Sequence, residues 1–479
     1  MMSPSFISCP LSLAARTYHD QPALVTPTGT LSFLDYDHQV SAVADNLKNM
    51  NLKTGERIAV VAPKQPELPA IILGCIRAGM VVCLLSPRLP DQTLENNFRQ
   101  LNSRVLITPS DDYRLQHLKP LKTGELVKPV MALSDVIHRG DLNQDATVMW
   151  TSGSATEPKA VLHTFGNHYY NALGANKNIP FEPGDRWLLS LPLYHVGGLS
   201  LLFRAVLGGG AVVLPEPGYK LAEEIIKHRI THLSLVSTQL YRLIETPEEL
   251  PSLKKTLKVV LLGGGPFPHS LIDKALGFQL PLYKSYGLTE TASQVTTTSR
   301  TDYPDRLFTS GRALDYRQVK ISDNNEILVK GAILFKGYLE PQGLKVLIDE
   351  DGWFHTGDCG HTDADGFLTV TGRKDNMFIS GGENIQPEEI ENCLLMMEDI
   401  LDAVVVPIAD REFGFRPAAF IRMAGNRERD ENRICRHLER YLPPFKIPRY
   451  FFDWPKNSVS ESLKPERRNF QKMARERLI

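Results

Sequence analysis

The chain has 479 residues, which at roughly 150 per domain is length for two to four domains with a sizeable buried core. Hydrophobic residues make up 42% and charged residues 23%, values that exclude collagen-like, disordered and membrane-spanning classes. Lys plus Arg total 54 against 55 Asp plus Glu, a net charge of −1, so no global field draws the chain to nucleic acid or anionic lipid and a small-molecule partner is expected.

Cys9, Cys75, Cys83, Cys359, Cys393 and Cys435 form no CxxC pair and no zinc-type spacing, as in a reduced compartment. No basic residue precedes Arg16, and the greasiest stretches are interrupted by Arg77 and Arg204, so neither reaches the ~20 apolar residues of a spanning helix. A cytoplasmic protein without stable membrane insertion is predicted, and the sequence is compatible with a homo-oligomer.

In chain order, RIAVVA from Arg57, a helical pattern beginning near Glu67 and then VVCLL predict a parallel strand–helix–strand unit. TSGSATEPKAV, Thr151 to Val161, follows ATVMW as a loop leaving a strand. Its hydroxyls, Gly153 and Lys159 can wrap an anion with backbone N–H groups, side-chain oxygens and charge; it lacks the GxxxxGK[ST] pattern, and a plain surface turn is the alternative. From His232, HLSLV, a helix through Tyr241, KVVLLGGG, a helix near Leu271 to Leu276 and LPLYKS repeat the alternation. This predicts a layered α/β body with its ligand crevice at the carboxyl ends of the strands. LLGGGPFP, Leu261 to Pro268, sets three glycines after a strand, where a ligand can approach the backbone. YGLTE, Tyr286 to Glu290, offers a ring to stack on a base and a carboxylate for a divalent metal, or else a helix N-cap at Thr289 with Glu290 in the first turn.

Between about Gly311 and Gly372, alternating strands QVKI, EILVKG and FLTVTG with the turn signals SDNNE, DEDG and DADG predict an antiparallel β subdomain. DGWFHTGD and GRKDNMFISGGENIQPEEIE bracket it with Asp358 and Arg373, suited to a ribose diol or to a surface ion pair. Beyond Asp375, PEEIENCLLMM, DAVVVPI, PAAFIRM and a helix ending at Tyr441 predict a separate α+β domain of about 100 residues, dividing the chain into 1–374 and 375–479.

These five strings, in this order, resemble the adenylate-forming superfamily of acyl-CoA synthetases, adenylation domains and luciferases over essentially the whole chain. The resemblance implies a large N-terminal domain, a small mobile C-terminal domain, and ATP, Mg2+ and CoA as co-substrates. It also implies an AMP-forming ligation in which a carboxylate attacks the α-phosphate, pyrophosphate leaves, and a thiol then displaces AMP. Thr151, Ser152, Gly153, Ser154 and Lys159 would hold the β- and γ-phosphates. Gly264, Gly265, Tyr286 and Gly287 would line the adenine site with Thr289 beside them; Glu290 would ligand Mg2+, and Asp358 and Arg373 would hold the ribose. The catalytic lysine is matched by Lys464 in SVSESLKPERR, with Arg467 as the following basic residue, although the usual glycine is missing and Lys456, Arg468 and Lys472 lie nearby. Asp375 matches the hinge, and Gly381 and Gly382 of SGGEN would line the pantetheine tunnel. Ala155 and Thr156 replace the family's threonine and second glycine; if that position needs positive φ, Thr156 is strained by roughly 1–3 kcal/mol.

Substrate choice falls on SLPLYHVGGLSLLFRAVLGGG and HLSLVSTQLYRL. A guanidinium at Arg204 is costly to bury unpaired, so it reaches solvent or meets an anion, the alternative being a snorkelling helix arginine beside a carboxylate. The segments are similar to those of the o-succinylbenzoate–CoA ligases of menaquinone biosynthesis. That similarity implies that Arg204 and Ser234 bind the retained aromatic carboxylate of a diacid, with His195 beside the reacting carboxyl. A CoA ligase for another aryl or medium-chain acid and a non-catalytic nucleotide-binding homologue are the rival readings.

Overall fold

The structure, a computed structural model, describes residues 5–109, 120–128, 137–151, 158–246, 248–425, 429–455 and 467–478. RIAVV forms the strand Arg57–Val61, buried at its last four positions, as a continuous apolar run requires when both faces of a parallel strand are covered. The helix Leu68–Arg77 returns the chain to Val81–Leu85, which pairs with it in parallel. Asp145–Trp150 adds to this sheet in parallel and then turns back into the antiparallel Ala160–Thr164, within an eight-stranded sheet.

A second sheet has nine strands. Its parallel body runs Pro22–Thr26, Ala211–Val213, Arg186–Leu188, His232–Leu235, Val259–Leu262 and Leu282–Leu288 in spatial order. The helices Phe33–Lys48, Leu68–Arg77, Phe165–Asn178 and Val196–Gly208 share one core with both sheets, meeting Ile58 and Val82 of the first and Trp187 and Leu261 of the second. The common strand direction sends Ser190, Val236 and Gly263 out of the same edge, which is where a crevice forms.

Arg317–Ile321, Glu326–Gly331, Phe354–Thr362 and Leu368–Arg373 make the antiparallel sheet, with Asp358 opposite Arg373. Residues 378–474 build two cores of their own. One surrounds the helices Pro387–Leu394 and Glu431–Leu438; the other lies beneath Arg467–Arg477 on the sheet of Ile400–Asp410, Gly414–Met423 and Tyr450–Asp453. Arg467 pins its helix to Glu388 and Glu391, each 3.1 Å from Nη2. The second helix stops at Leu438, short of Tyr441, as residues 439–441 turn into Pro443 and Pro444, which cannot continue a helix. Among the described residues no helix is long and apolar enough to cross a membrane.

Candidate active site

The loop rich in hydroxyls is a hairpin connection between Asp145–Trp150 and Ala160–Thr164. Its base is pinched by two reciprocal bonds: the Thr151 N–H donates to the Lys159 carbonyl at 3.0 Å, and the Lys159 N–H donates to the Thr151 hydroxyl at 3.1 Å. Ser152, Gly153, Ser154, Ala155 and Thr156 lie outside the described residues. The Lys159 ammonium sits 5.0 Å from the centre of the Tyr338 ring, and the Tyr338 hydroxyl donates to Glu290 Oε1 at 2.7 Å. Tyr338 thus joins the lysine of the loop to the carboxylate of YGLTE. It does so because its strand, Gly337–Glu340, pairs with Ala160–Thr164 and places Tyr338 opposite Val161. Burial and the Glu290 charge push the Tyr338 pKa up, so the hydroxyl stays a donor.

Glu290 occupies the single-turn 3-10 helix Thr289–Thr291, and its carbonyl accepts from the Phe335 N–H at 2.8 Å. The turn is capped by the Thr291 hydroxyl, which accepts from the Leu288 N–H at 3.1 Å, rather than by Thr289. Among the described residues no three carboxylate, histidine or cysteine groups converge as a metal cage. A single carboxylate held by a tyrosine fits a Mg2+ ion that keeps its waters and arrives on nucleotide phosphates.

Tyr286, Asp358 and Arg373 also meet. The Tyr286 hydroxyl donates to Asp358 Oδ2 at 2.7 Å, and Arg373 Nη1 donates to Asp358 Oδ1 at 2.9 Å. Asp358 is 6% exposed, so this is no surface ion pair; donors on both oxygens fix its plane. Arg373 also approaches Asp375 at 3.5 Å. Burial, reinforced by the Asp358 charge, lifts the Tyr286 pKa well above its ordinary value and keeps the phenol protonated. Gly287 follows where no side chain fits, since a Cβ there would lie 2.0 Å from the Ser293 carbonyl oxygen. Gly264, at φ +84°, and Gly265 lie exposed just beyond Val259–Leu262, leaving the backbone open to a flat ligand.

Arg204 and Ser234, expected from the sequence to meet the acid, both contact Trp187. Arg204, 2% exposed on Val196–Gly208, stacks on the Trp187 ring with 4.3 Å between guanidinium carbon and ring centre, and the indole N–H donates to the Ser234 hydroxyl at 3.1 Å. Arg204 donates to Asn176 Oδ1 at 2.8 Å and to the Ile179 and Ala175 carbonyls at 2.7 and 3.5 Å, at the C-terminal end of Phe165–Asn178. It therefore does not reach solvent; carbonyls and an indole face hold it, and among the described residues it meets no carboxylate and its buried Nη1 has no partner. Burial lowers its pKa to about 9, so it is charged at neutral pH. His195 stands at the N-cap of the same helix, half-buried, its ring 4.7 Å from that of Tyr194.

SGGEN forms a tight hairpin between Phe378–Ser380 and Glu383–Ile385. Gly381 and Gly382 both have positive φ, +58° and +88°, the requirement of a type I′ turn. The Gly381 N–H donates to the Phe413 carbonyl at 2.9 Å, and Gly381 has no room for a Cβ beside the Phe413 ring. The hairpin is thus fastened to the turn that leads into the strand Gly414–Met423. Lys464 lies outside the described residues.

Sequence reasoning missed Tyr338, Trp187 and Asn176. Each acts through a partner far away in the chain, and no local motif marks it.

The layered fold, with Lys159 joined to Glu290 through Tyr338 and Tyr286 joined to Arg373 through Asp358, is that of an adenylate-forming enzyme body, and the chain belongs to the AMP-binding enzyme family, whose model matches residues 11–339, with the AMP-binding enzyme C-terminal domain at 389–458. A 2–succinylbenzoate–CoA ligase of Bacillus pumilus is 33% identical to it over 92% of this chain and 93% of its own. The o-succinylbenzoate CoA synthetase of Bacillus subtilis, solved with its acyl-adenylate intermediate, superposes with a TM-score of 0.86 at 28% identity, covering 98% of this chain and 99% of that one. The same enzyme with ATP and magnesium gives a TM-score of 0.85 at 29% identity, over 98% and 100% of the two chains.

Proposed function

We propose that the protein ligates 2-succinylbenzoate to CoA in menaquinone biosynthesis, in the cytoplasm, through an acyl-adenylate made from ATP. The observation that carries the choice of acid is Arg204: a buried guanidinium without a carboxylate partner, with one N–H side unsatisfied, is poised to take the ring carboxylate, while Ser234 orients it through the shared Trp187.

In this reading Thr151, Lys159 and the loop they close hold the β- and γ-phosphates, and His195 lies beside the reacting succinyl carboxylate. Tyr286, Gly264, Gly265, Gly287 and Thr289 enclose the adenine, and the fixed plane of Asp358, braced by Arg373, accepts from the ribose hydroxyls. Glu290 would hold Mg2+, which would supply positive charge to the departing pyrophosphate. Little covalent help from the chain is needed; its side chains hold the carboxylate oxygen in line with the α-phosphate and keep water out. Residues 375–479 would then turn about Asp375, exchanging Lys464, which faces the adenylation step, for the Gly381–Gly382 turn, which admits the CoA pantetheine.

Incubation with Mg-ATP, CoA and a panel of acids tests this. Thioester and AMP should form with 2-succinylbenzoate far faster than with benzoate or octanoate; equal rates for all three would overturn the assignment.

A further inference from the structure

A buried chain of polar groups runs beneath the site. His163, 0% exposed on Ala160–Thr164, places Nε2 2.7 Å from the Thr289 carbonyl oxygen and Nδ1 3.2 Å from the Thr147 hydroxyl. That hydroxyl lies 2.8 Å from Nε2 of His168, which is 2% exposed on Phe165–Asn178. The His168 ring stacks on Phe203 at 4.7 Å with an interplanar angle of 11°, one residue before Arg204.

The proton positions follow from what each atom can do. A carbonyl only accepts, so His163 carries its proton on Nε2 and leaves Nδ1 bare; the Thr147 hydroxyl donates to it and accepts in turn from His168 Nε2–H. All the hydrogen bonds are satisfied with both rings neutral, leaving only His168 Nδ1 buried without a partner. Burial favours that state, holding the His163 pKa down to about 4 and that of His168 well below the ordinary histidine value. The Thr289 carbonyl belongs to the same planar peptide as the Glu290 N–H, so holding that oxygen fixes the rotation of the unit from which Glu290 departs.

We propose that His163 is a positioning residue for the carboxylate of Glu290: through Thr147 and His168 it locks the Thr289–Glu290 peptide, and so sets the alignment of Glu290 toward the magnesium of Mg-ATP. Tyr338 steers the carboxylate from outside, while this chain steers its backbone from within. The far end of the chain packs on the helix that carries Arg204, which ties the metal carboxylate and the acid pocket to one buried element. The inference rests on the magnesium role proposed above for Glu290.

Calorimetric titration of the full chain with Mg-ATP, and separately with AMP without metal, tests it. His163→Leu removes the donor, His163→Gln keeps an amide donor toward Thr289, and Thr147→Val is an isosteric break in the middle of the chain. Groups that orient a metal ligand typically contribute about 10- to 100-fold in affinity, so His163→Leu and Thr147→Val should weaken Mg-ATP about tenfold or more beyond any loss of AMP, whose adenine also meets Thr289, with His163→Gln recovering most of that difference. A general packing defect would weaken both ligands alike, and that result, or no change in Mg-ATP, overturns the inference. Loss of the fold in all three variants would overturn it too, making the chain a core device. If the unaltered protein binds AMP but gains nothing from magnesium, the role of Glu290 falls first, separately from that of His163.

Discussion

Replacing Arg204 with Met separates the charge of this side chain from its bulk. In the folded protein the change removes donors to Asn176, Ile179 and Ala175, each charge-assisted bond contributing about 1.5–3 kcal/mol, but it also relieves a buried cation without a counter-ion. The two effects oppose, so the net change in unfolding free energy should stay within about 2 kcal/mol. The bound diacid has no such compensation. Its ring carboxylate would lie beside Trp187 with no cation, and breaking one side of a buried charge pair costs about 3–5 kcal/mol, or roughly 10²- to 5 × 10³-fold in kcat/KM. Steady-state assay of the variant with 2-succinylbenzoate and with the analogue lacking the ring carboxylate isolates this. The diacid should lose the full factor, the monoacid only a few-fold, and KM for ATP should hold. Equal losses on both acids, or an unchanged KM for the diacid, would return Arg204 to a purely structural role.

Gly287→Ala forces a Cβ against the Ser293 carbonyl and should lower both the thermal midpoint and the affinity for AMP; a normal melting curve with intact AMP binding would refute the reading. His232 donates to the Pro180 carbonyl, and burial, outweighing that bond, depresses its pKa to about 4. The unfolded chain therefore binds the extra proton first, and stability is full above about pH 6.5 and falls toward pH 4 by about 1.4 kcal/mol per pH unit for this group. Urea midpoints of His232→Gln should show a shallower acid slope, and parallel slopes would contradict the argument. Lys464→Ala should abolish adenylate formation yet spare thioester formation from supplied acyl-adenylate; equal loss of both half-reactions would count against a turn about Asp375.

What could be read from the sequence was whatever local chemistry dictates. Short apolar runs bounded by turns gave the parallel strands, and SDNNE and DADG marked the antiparallel sheet. The expected roles of Tyr286, Glu290, Asp358 and Arg373 came from the resemblance of their strings to the adenylate-forming family. Their mutual geometry did not, because it depends on cross-strand pairing: Asp358 meets Arg373 only through the register of two strands, and Tyr338 reaches Glu290 only because its strand lies beside Ala160–Thr164. Arg204 shows the limit most clearly. Solvent, a paired anion and a snorkelling partner were the options visible in sequence, whereas the fold supplies an indole face and the spent end of a helix. His163 gave no signal at all, since a lone histidine on an apolar strand reads as core.

The pinch between Thr151 and Lys159 separates the width of a gate from the material of its bar. Main-chain groups and one hydroxyl set the distance between the two posts, and neither bond calls on a side chain between them. The lysine thus keeps its station with Ala155 and Thr156 standing where the resembled family has threonine and glycine.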